Sequence, residues 1–174
     1  AADALRAKSP ENHFVVLADD SPIPEVRAAA LAGLGVRGEH GLLIHETYGS
    51  YVFIGTIVTD RDFPAEVHPP SPCLRCGKCR AACPAQAIGT PGVDTGRCLS
   101  ALTQRGGAVT PQEAGQLRRH PLVWGCATCQ LACPMNRGVP LSDNPAFREN
   151  LLDSLTAEDL AGLTRRAFVE RFPE

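Results

Sequence analysis

Eight cysteines between residues 73 and 133 constrain this chain of 174 residues more than any other feature. They form two runs that each end in Cys-Pro, with a single cysteine between them: Cys73-x2-Cys76-x2-Cys79-x3-Cys83-Pro84, then Cys98, then Cys126-x2-Cys129-x3-Cys133-Pro134. In two-cluster ferredoxins the first three cysteines of a run bind one iron–sulfur cluster and the fourth binds the other. With the cysteine before proline taken as the last of each run, this rule predicts two 4Fe-4S clusters. One is bound by Cys73, Cys76, Cys79 and Cys133. The other is bound by Cys83, Cys126 and Cys129, and Cys98 is the only cysteine left to be its fourth ligand.

Two other kinds of cysteine chemistry fit the spacing less well. A disulfide framework is typical of small secreted chains, but the sequence shows no secretory signal and no spacing of a secreted module. Zinc binds Cys-x2-Cys pairs. A zinc site, however, needs neither a third cysteine at the same short step nor a fourth cysteine that is twice followed by proline.

Composition places the chain among soluble globular proteins. Hydrophobic residues make up 44% of the chain and aromatic residues 5%, and no apolar run approaches the ~20 residues of a membrane span. Reduced thiols at this density favour the cytoplasm, so we expect no membrane association. The chain begins without an initiator methionine, and we therefore expect upstream residues to be missing from it.

The net charge of −2 conceals a basic middle section. Residues 73 to 133 contain seven Lys or Arg and two Asp or Glu, whereas the flanking sections contain more acidic than basic residues. One interpretation is a nucleic-acid-binding patch. The other is charge compensation, because an oxidised cubane with four thiolates has a formal charge of about −2. The sequence leaves both interpretations open.

Apolar patterning predicts alternating elements before the cysteines. Residues 14–18 form a short, partly β-branched apolar run that indicates a buried strand. A helix is predicted to begin near Ser21-Pro22 and to end at Gly33 as a left-handed cap. Two further strands are predicted at 41–46 and 51–59, joined as a hairpin through Gly49-Ser50.

The glycine spacing of the dinucleotide-binding fingerprint occurs once before the cysteines, in Gly33-Leu34-Gly35-Val36-Arg37-Gly38. This match concerns residue types and spacing only. A functional fingerprint needs a strand before the glycines and a helix after them, so that the helix N-terminus meets the pyrophosphate. Here the predicted order is reversed. We therefore do not expect a nicotinamide or flavin site of this type.

The whole chain is predicted to be an α+β protein in three parts. Residues 1–68 form an α/β section, residues 69–140 a ferredoxin-like domain with two clusters, and residues 141–174 a short helical tail. The proline-rich segment 67–72 is the expected joint between the first two. Helical turns are expected to follow the cysteine runs, Thr110-Pro111-Gln112-Glu113 predicts a capping box, and Thr156 and Thr164 are expected helix caps.

Several motifs together resemble the epoxyqueuosine reductase family. Before the cysteines they are Asp19-x2-Pro22-x2-Glu25, Ala32-Gly33-Leu34-Gly35-x2-Gly38-x2-Gly41-Leu42-Leu43-Ile44 and Tyr48-Gly49-Ser50-Tyr51-Val52-Phe53-Ile54-Gly55. Among the cysteines they are Asp94-x2-Arg97-Cys98-Leu99-Ser100-x-Leu102-Thr103 and Gly125-Cys126-x2-Cys129-Gln130-x2-Cys133-Pro134-x-Asn136. The chain looks like a shortened, divergent member, with residues 1–68 similar to the C-terminal part of a cobalamin-binding reductase domain.

The resemblance implies an iron–sulfur and cobalamin enzyme that reduces epoxyqueuosine in tRNA, with electrons passing from the clusters to the corrinoid. It implies a partner that donates electrons, such as a flavodoxin or a ferredoxin reductase system, and tRNA as a possible partner. Asp19 would be the proton donor to the opened epoxide. The residues Gly35, Gly38, His40, Gly49 and Ser50 would contact the cofactor.

Two of these assignments have competing interpretations. Asp19 could instead cap the following helix from a turn, and Asp20 is an equal candidate for the acid. The family usually has Trp-Ile-Gly-Lys-Asn where this chain has Val36-Arg37-Gly38-Glu39-His40. His40 is therefore either a new ligand or acid, or simply a polar surface residue.

Two classes of function remain after the sequence analysis. The first is a cobalamin-dependent reductase, and the second is an electron-transfer module whose clusters serve a partner enzyme without a corrinoid. Bound corrinoid would distinguish the two. The motifs before the clusters favour the reductase, because a simple ferredoxin does not need them.

Overall fold

The computed structural model describes residues 1–19, 21–64, 70–89, 92–120, 122–149, 151 and 156–171. These residues form two compact units, Ala1–Pro140 and Leu141–Glu174. The first half of the predicted joint, residues 67–69, lies outside the described residues, as does Asp20. No described helix is both long and apolar enough to cross a membrane.

Helices and short antiparallel strands alternate in the first part of unit 1. The elements are α1 (Ala2–Lys8), β1 (Phe14–Ala18), α2 (Glu25–Leu31), β2 (Val36–Arg37), β3 (Leu43–Ile44) and β4 (Gly55–Thr59). Strand β1 pairs with β4, so that Phe14 lies opposite Thr59. Strand β2 pairs with β3, so that Val36 lies opposite Ile44. The predicted strand at 14–18 and the mixed α and β content are confirmed.

Strand β1 is not the buried strand that its apolar sequence predicts. Phe14 is 6% exposed, but Val15 and Val16 are 55% and 54% exposed. Within the described part of the chain β1 pairs only with β4, and their sheet has two strands. Apolar content therefore misled the prediction, because a run of apolar residues does not reveal how many neighbours a strand will have.

The predicted hairpin between β3 and β4 is wrong. His45 and Gly49 instead exchange backbone hydrogen bonds of 2.8 and 2.9 Å, which close a tight turn directly after β3. The chain then leaves β3 and continues to β4, which pairs with β1. Two consecutive strand-like segments around a glycine suggested that they pair with each other, whereas the structure pairs β4 with the distant β1 and β3 with the preceding β2.

Helix α2 ends at the predicted glycine cap. Gly33 has a φ of +76°, and the N–H groups of Gly33 and Leu34 donate to the carbonyls of Ala30 and Ala29. This is the Schellman arrangement, in which a glycine after the helix adopts a left-handed conformation. The glycine stretch thus follows a helix and contains β2, an order that excludes the dinucleotide-binding arrangement.

Four short α-helices lie in the described residues of the second part of unit 1: α3 (Lys78–Ala82), α4 (Leu99–Gln104), α5 (Pro111–Arg119) and α6 (Thr128–Leu131). Helices α3 and α6 lie within the cysteine runs. Helices α4 and α5 follow the first run, as predicted, whereas a turn of 3-10 helix at Pro134–Asn136 follows the second. Helix α5 has the predicted capping box, with reciprocal hydrogen bonds between Thr110 and Glu113. The Thr110 backbone N–H and the Arg105 guanidinium lower the pKa of Glu113 to about 2. Leu99 and Leu102 of α4 are almost fully buried.

Unit 2 contains α7 (Ala157–Leu160) and α8 (Arg165–Arg171), preceded by a turn of 3-10 helix at Pro145–Phe147. Thr156 accepts a hydrogen bond from the backbone N–H of Asp159 at 3.1 Å. Thr164 accepts one from Ala167 at 3.2 Å. Both threonines are therefore the helix caps that the sequence predicts.

Candidate metal centre

The eight cysteines surround two separate cavities in unit 1. The first cavity is lined by Cys73, Cys76, Cys79 and Cys133. The second is lined by Cys83, Cys98, Cys126 and Cys129. Each set takes its members from both runs, and each contains four cysteines. This division matches the two sets that the spacing rule predicts.

Proline after the last cysteine of each run directs that cysteine away from its own helix. Proline disfavours the helical conformation in the residue before it. Cys83 accordingly has ψ 112° at the end of α3, and Cys133 has ψ 122° after α6. These two extended residues place their side chains at the cavity that the rest of the run does not line.

The next-to-last cysteine of each run lies on a helix. Cys79 is on α3, which begins after Gly77 in a left-handed conformation, and Cys129 is on α6. Cys98 precedes α4 with ψ 120°. The backbone N–H of Ala87 donates to the sulfur of Cys83 at 3.3 Å. Such N–H donors toward sulfur are a feature of iron–sulfur sites.

Burial makes free thiolates unfavourable in both cavities. Burial, together with the neighbouring Cys126, raises the pKa of Cys129 to about 11. Burial also raises the pKa of Cys79. A bound metal reverses this effect, since its positive charge favours deprotonated sulfur. The donor set and its surroundings therefore fit a thiolate-bound metal group. Among the described residues, no three His, Cys, Asp or Glu side chains form a group suited to a single metal ion, so the four thiols around each cavity fit a cluster of several irons and not one zinc ion.

His40 is a buried residue, which corrects the alternative that placed it at the surface. It is 5% exposed, and it lines both cysteine cavities. The backbone N–H of Leu42 donates to its Nδ1 at 3.2 Å. Its Nε2 is buried without a hydrogen-bond partner among the described residues. Burial also lowers the pKa of His40, which favours the neutral ring.

Gly35 and Gly38 lie where their neighbours leave no room for a side chain. A Cβ at Gly35 would lie 2.4 Å from the carbonyl oxygen of Ile44. A Cβ at Gly38 would lie 2.8 Å from both the His40 ring and the Ile44 side chain. Both glycines thus allow β2 and the following turn to pack closely against β3 and His40.

Gly49 and Ser50 join the first part of unit 1 to the cysteine section. Gly49 has a φ of +59°, and a Cβ there would lie 2.2 Å from Oδ1 of Asn136. The Gln130 side chain donates to the carbonyl oxygen of Ser50 at 2.8 Å, and Asn136 bonds both to Ser50 and to the backbone of Gln130. Gln130 and Asn136 were not predicted as site residues. Both stand in the motif that resembles the epoxyqueuosine reductase family, and that motif was the signal of a role.

Asp19 lies directly after β1 and has a φ of +60°. This conformation is uncommon for residues other than glycine, although aspartate tolerates it better than most. Asp19 is exposed, and no described side chain donates a hydrogen bond to its carboxylate. Helix α2 begins after Pro24 without a side-chain cap, so Asp19 does not cap that helix.

Arginines surround an open cavity next to the first set of cysteines. Arg37, Arg75 and Arg80 line this cavity together with Cys73, and its volume is about 390 Å³. Arg80 is paired with Glu39 at 3.0 Å. Part of the basic charge of the middle section is therefore located beside a cysteine cavity.

The cavities and their cysteines define the class of protein. Residues 72–136 match the family model described as a 4Fe-4S double cluster binding domain. The chain thus contains a domain of the 4Fe-4S double-cluster class, which supports iron–sulfur chemistry over zinc or disulfides.

Comparison with known proteins defines the family. The chain is 36% identical to epoxyqueuosine reductase from Aliivibrio fischeri over 146 residues, which cover 83% of this chain and 38% of that protein. It superposes with a TM-score of 0.77, at 28% identity, on a crystal structure of epoxyqueuosine reductase with an epoxyqueuosine-modified tRNA-Tyr stem loop, covering 98% of this chain and 45% of that one. The chain belongs to the epoxyqueuosine reductase family.

A second solved structure is also similar to this chain. It is epoxyqueuosine reductase from Bacillus subtilis with an aspartate catalytic loop swung out of the active site, and the superposition has a TM-score of 0.70 at 29% identity. It covers 80% of this chain and 37% of the Bacillus chain. The chain spans less than half the length of each of these three relatives.

Proposed function

We propose that this chain binds two 4Fe-4S clusters and transfers electrons within a reductase that acts on epoxyqueuosine in tRNA. One cluster is held by Cys73, Cys76, Cys79 and Cys133, and the other by the remaining four cysteines. The observation that carries this proposal is the division of the eight cysteines between two cavities, four to each. Bound clusters would supply one-electron transfer.

The residues around the cavities have the roles of binding and positioning. The extended Cys83 and Cys133 link the two sites, because each belongs to one run and lines the cavity of the other. The bonds among Ser50, Gln130 and Asn136 fix the turn after β3 against the second run. Movement of that turn relative to the cysteines is therefore restricted by buried hydrogen bonds.

Cobalamin enters this proposal through the family alone. Gly35 and Gly38 pack against Ile44 and His40, and Gly49 packs against Asn136. Ser50 is 5% exposed and bonded to Gln130 and Asn136. Residues whose contacts are made inside the chain in this way do not fit direct contact with a corrinoid.

Asp19 is proposed as the proton donor. Opening of an epoxide leaves an oxygen that must be protonated, and a positioned carboxylic acid can provide the proton. The support for Asp19 is its exposed side chain and its uncommon backbone conformation at the end of β1. Such conformations cluster at functional sites. The related Bacillus enzyme has an aspartate on a catalytic loop.

The proposed partners are an electron donor, such as a flavodoxin or a ferredoxin reductase system, and tRNA. The arginines beside Cys73 provide a basic surface next to one cluster. An acidic donor protein would dock there by charge complementarity. The family relationship to a protein crystallised with a tRNA stem loop supports tRNA as the substrate.

A second candidate function is electron transfer to a partner without a corrinoid. The poor fit of the five predicted cofactor residues favours it, because their contacts lie within the chain. The same clusters serve in both functions. Cobalt content and turnover distinguish the two.

Anaerobic purification with added hydroxocobalamin, followed by iron, sulfide and cobalt analysis, tests these functions. About eight irons per chain with stoichiometric cobalt supports the reductase and justifies an assay on epoxyqueuosine-containing tRNA. Eight irons without cobalt supports the electron-transfer module. Bound zinc in place of iron would contradict both.

A further inference from the structure

His40 lies between the two groups of cysteines. In the part of the chain that the structure describes, it is the one residue that lines both cysteine cavities. It is also almost fully buried, at 5% exposure. His40 is therefore adjacent to the proposed sites of both clusters.

The hydrogen bonds of the ring define its tautomer. Nδ1 of His40 accepts a hydrogen bond from the backbone N–H of Leu42 at 3.2 Å. A ring nitrogen that accepts carries no hydrogen, so in the neutral ring the proton is on Nε2. That N–H is buried and has no acceptor among the described residues. Buried donors are nearly always paired, and an exception requires an explanation.

We propose that Nε2–H of His40 donates a hydrogen bond to a sulfur of one of the two clusters and raises the reduction potential of that cluster. The proposal rests on the cluster ligands assigned under the proposed function, but it requires neither cobalamin nor tRNA. Reduction adds negative charge to the cluster and its sulfurs. A fixed N–H donor therefore stabilises the reduced state more than the oxidised state.

The surroundings of the ring favour a fixed donor. The lack of a side chain at Gly38 makes room for the His40 ring, because a Cβ at that position would lie 2.8 Å from Cε1 of His40. The bond from Leu42 restrains the other side of the ring. A donor held in this way keeps its direction when the cluster changes charge, as outer-shell partners of metal sites do.

Matched variants test the role of the N–H group. His40→Leu removes the donor, whereas His40→Gln retains an N–H at a similar distance from the backbone. Redox titration monitored by electron paramagnetic resonance should show one cluster of His40→Leu shifted to lower potential. We expect about a tenfold change in its reduction equilibrium, which is about 59 mV for one electron. His40→Gln should recover part of the shift.

Unchanged potentials in His40→Leu, with both clusters present, would overturn the proposal. Equal downward shifts in the Leu and Gln variants would also overturn it, because the cause would then be altered packing. Iron analysis of each variant is needed first. About eight irons per chain shows that the comparison concerns two intact clusters.

A measurement on the unaltered protein covers the case in which His40→Leu does not assemble. With ¹⁵N-labelled histidine, pulsed electron paramagnetic resonance of the reduced protein should detect a weak histidine coupling of hydrogen-bond type. The chain has five histidines, so His45→Gln serves as the control that should retain the signal. Absence of any histidine coupling would overturn the proposal, while loss of cobalt or of turnover would leave it intact.

Discussion

Asn136 binds both the backbone and the side chain of Ser50 across 86 positions of sequence. The Ser50 N–H donates to Oδ1 of Asn136 at 2.7 Å, and the Asn136 amide donates to Oγ of Ser50 at 2.8 Å. Both residues are buried. Because Asn136 follows Cys133 by three residues, this pair couples the turn after β3 to the end of the second cysteine run.

Asn136→Ala should destabilise unit 1. The substitution leaves the buried N–H of Ser50 without its acceptor, and each buried group left unpaired costs about 1–3 kcal/mol. Urea unfolding of the cluster-loaded protein should show a lower midpoint. Gln112→Ala, at an exposed position of α5, is the control and should leave the midpoint nearly unchanged. Equal midpoints for the two variants would show that the Ser50 contact contributes little.

Gly49→Ala should be more harmful than Gly55→Ala. Gly49 has a left-handed conformation and no space beside Asn136, whereas a Cβ at Gly55 would meet nothing within 4 Å. The left-handed conformation alone costs a residue with a Cβ roughly 1–2 kcal/mol, and the overlap with Asn136 adds to this. Thermal unfolding of both variants measures the difference. Similar melting temperatures would contradict the close approach at Gly49.

Pairs of cysteine substitutions should distinguish the two ligand sets. Cys83→Ala and Cys98→Ala combined remove two ligands of one cluster, so the variant should retain about four irons. Cys76→Ala and Cys98→Ala combined affect both clusters and should leave little iron. Iron and sulfide analysis after anaerobic reconstitution provides the measurement. If both double variants retain the same iron, the proposed division of ligands is wrong.

Asp19→Asn should abolish turnover without loss of iron. The amide lacks the acidic proton that the proposed mechanism requires, and the exposed residue does not line either cysteine cavity. Asp62→Asn, also exposed, is the matched control and should remain active. The assay is single-turnover conversion of epoxyqueuosine-containing tRNA. Full activity of Asp19→Asn would assign the proton to another group.

Asp19→Gly should show whether the Asp19 side chain contributes to the stability of the fold. Glycine adopts a φ near +60° without the steric cost that a side chain imposes. The variant should therefore unfold at an equal or higher temperature than the unaltered protein, although it has lost the carboxylate. A lower melting temperature would show that the Asp19 side chain stabilises the fold.

Local sequence signals predicted several elements correctly because each depends on residues that are close in the chain. The capping box at Thr110 and Glu113 and the glycine cap at Gly33 formed as expected. The two cysteine sets also agree with the cavities, since Cys-Pro restricts the backbone of Cys83 and Cys133 locally. Assignment of those cysteines as cluster ligands stays a prediction until iron is measured.

Relationships between distant segments could not be predicted in the same way. The sequence suggested that the segments on either side of Gly49 would pair with each other, but β4 pairs with β1 and β3 pairs with β2. It also suggested a buried β1, of which only Phe14 is buried. Strand pairing and burial depend on which segments meet in three dimensions, and short apolar runs do not contain that information.

The sequence by itself determined the chemistry available to this protein: eight thiols in two runs, with prolines that turn the last thiol of each run away from its helix. Only the tertiary structure decided how the rest of the chain meets those thiols. It placed His40 between the two cavities and Ser50 against Asn136, more than 80 positions away. The physical reason is that ligand spacing is a property of local backbone geometry. A buried contact, in contrast, exists only after distant segments have packed together.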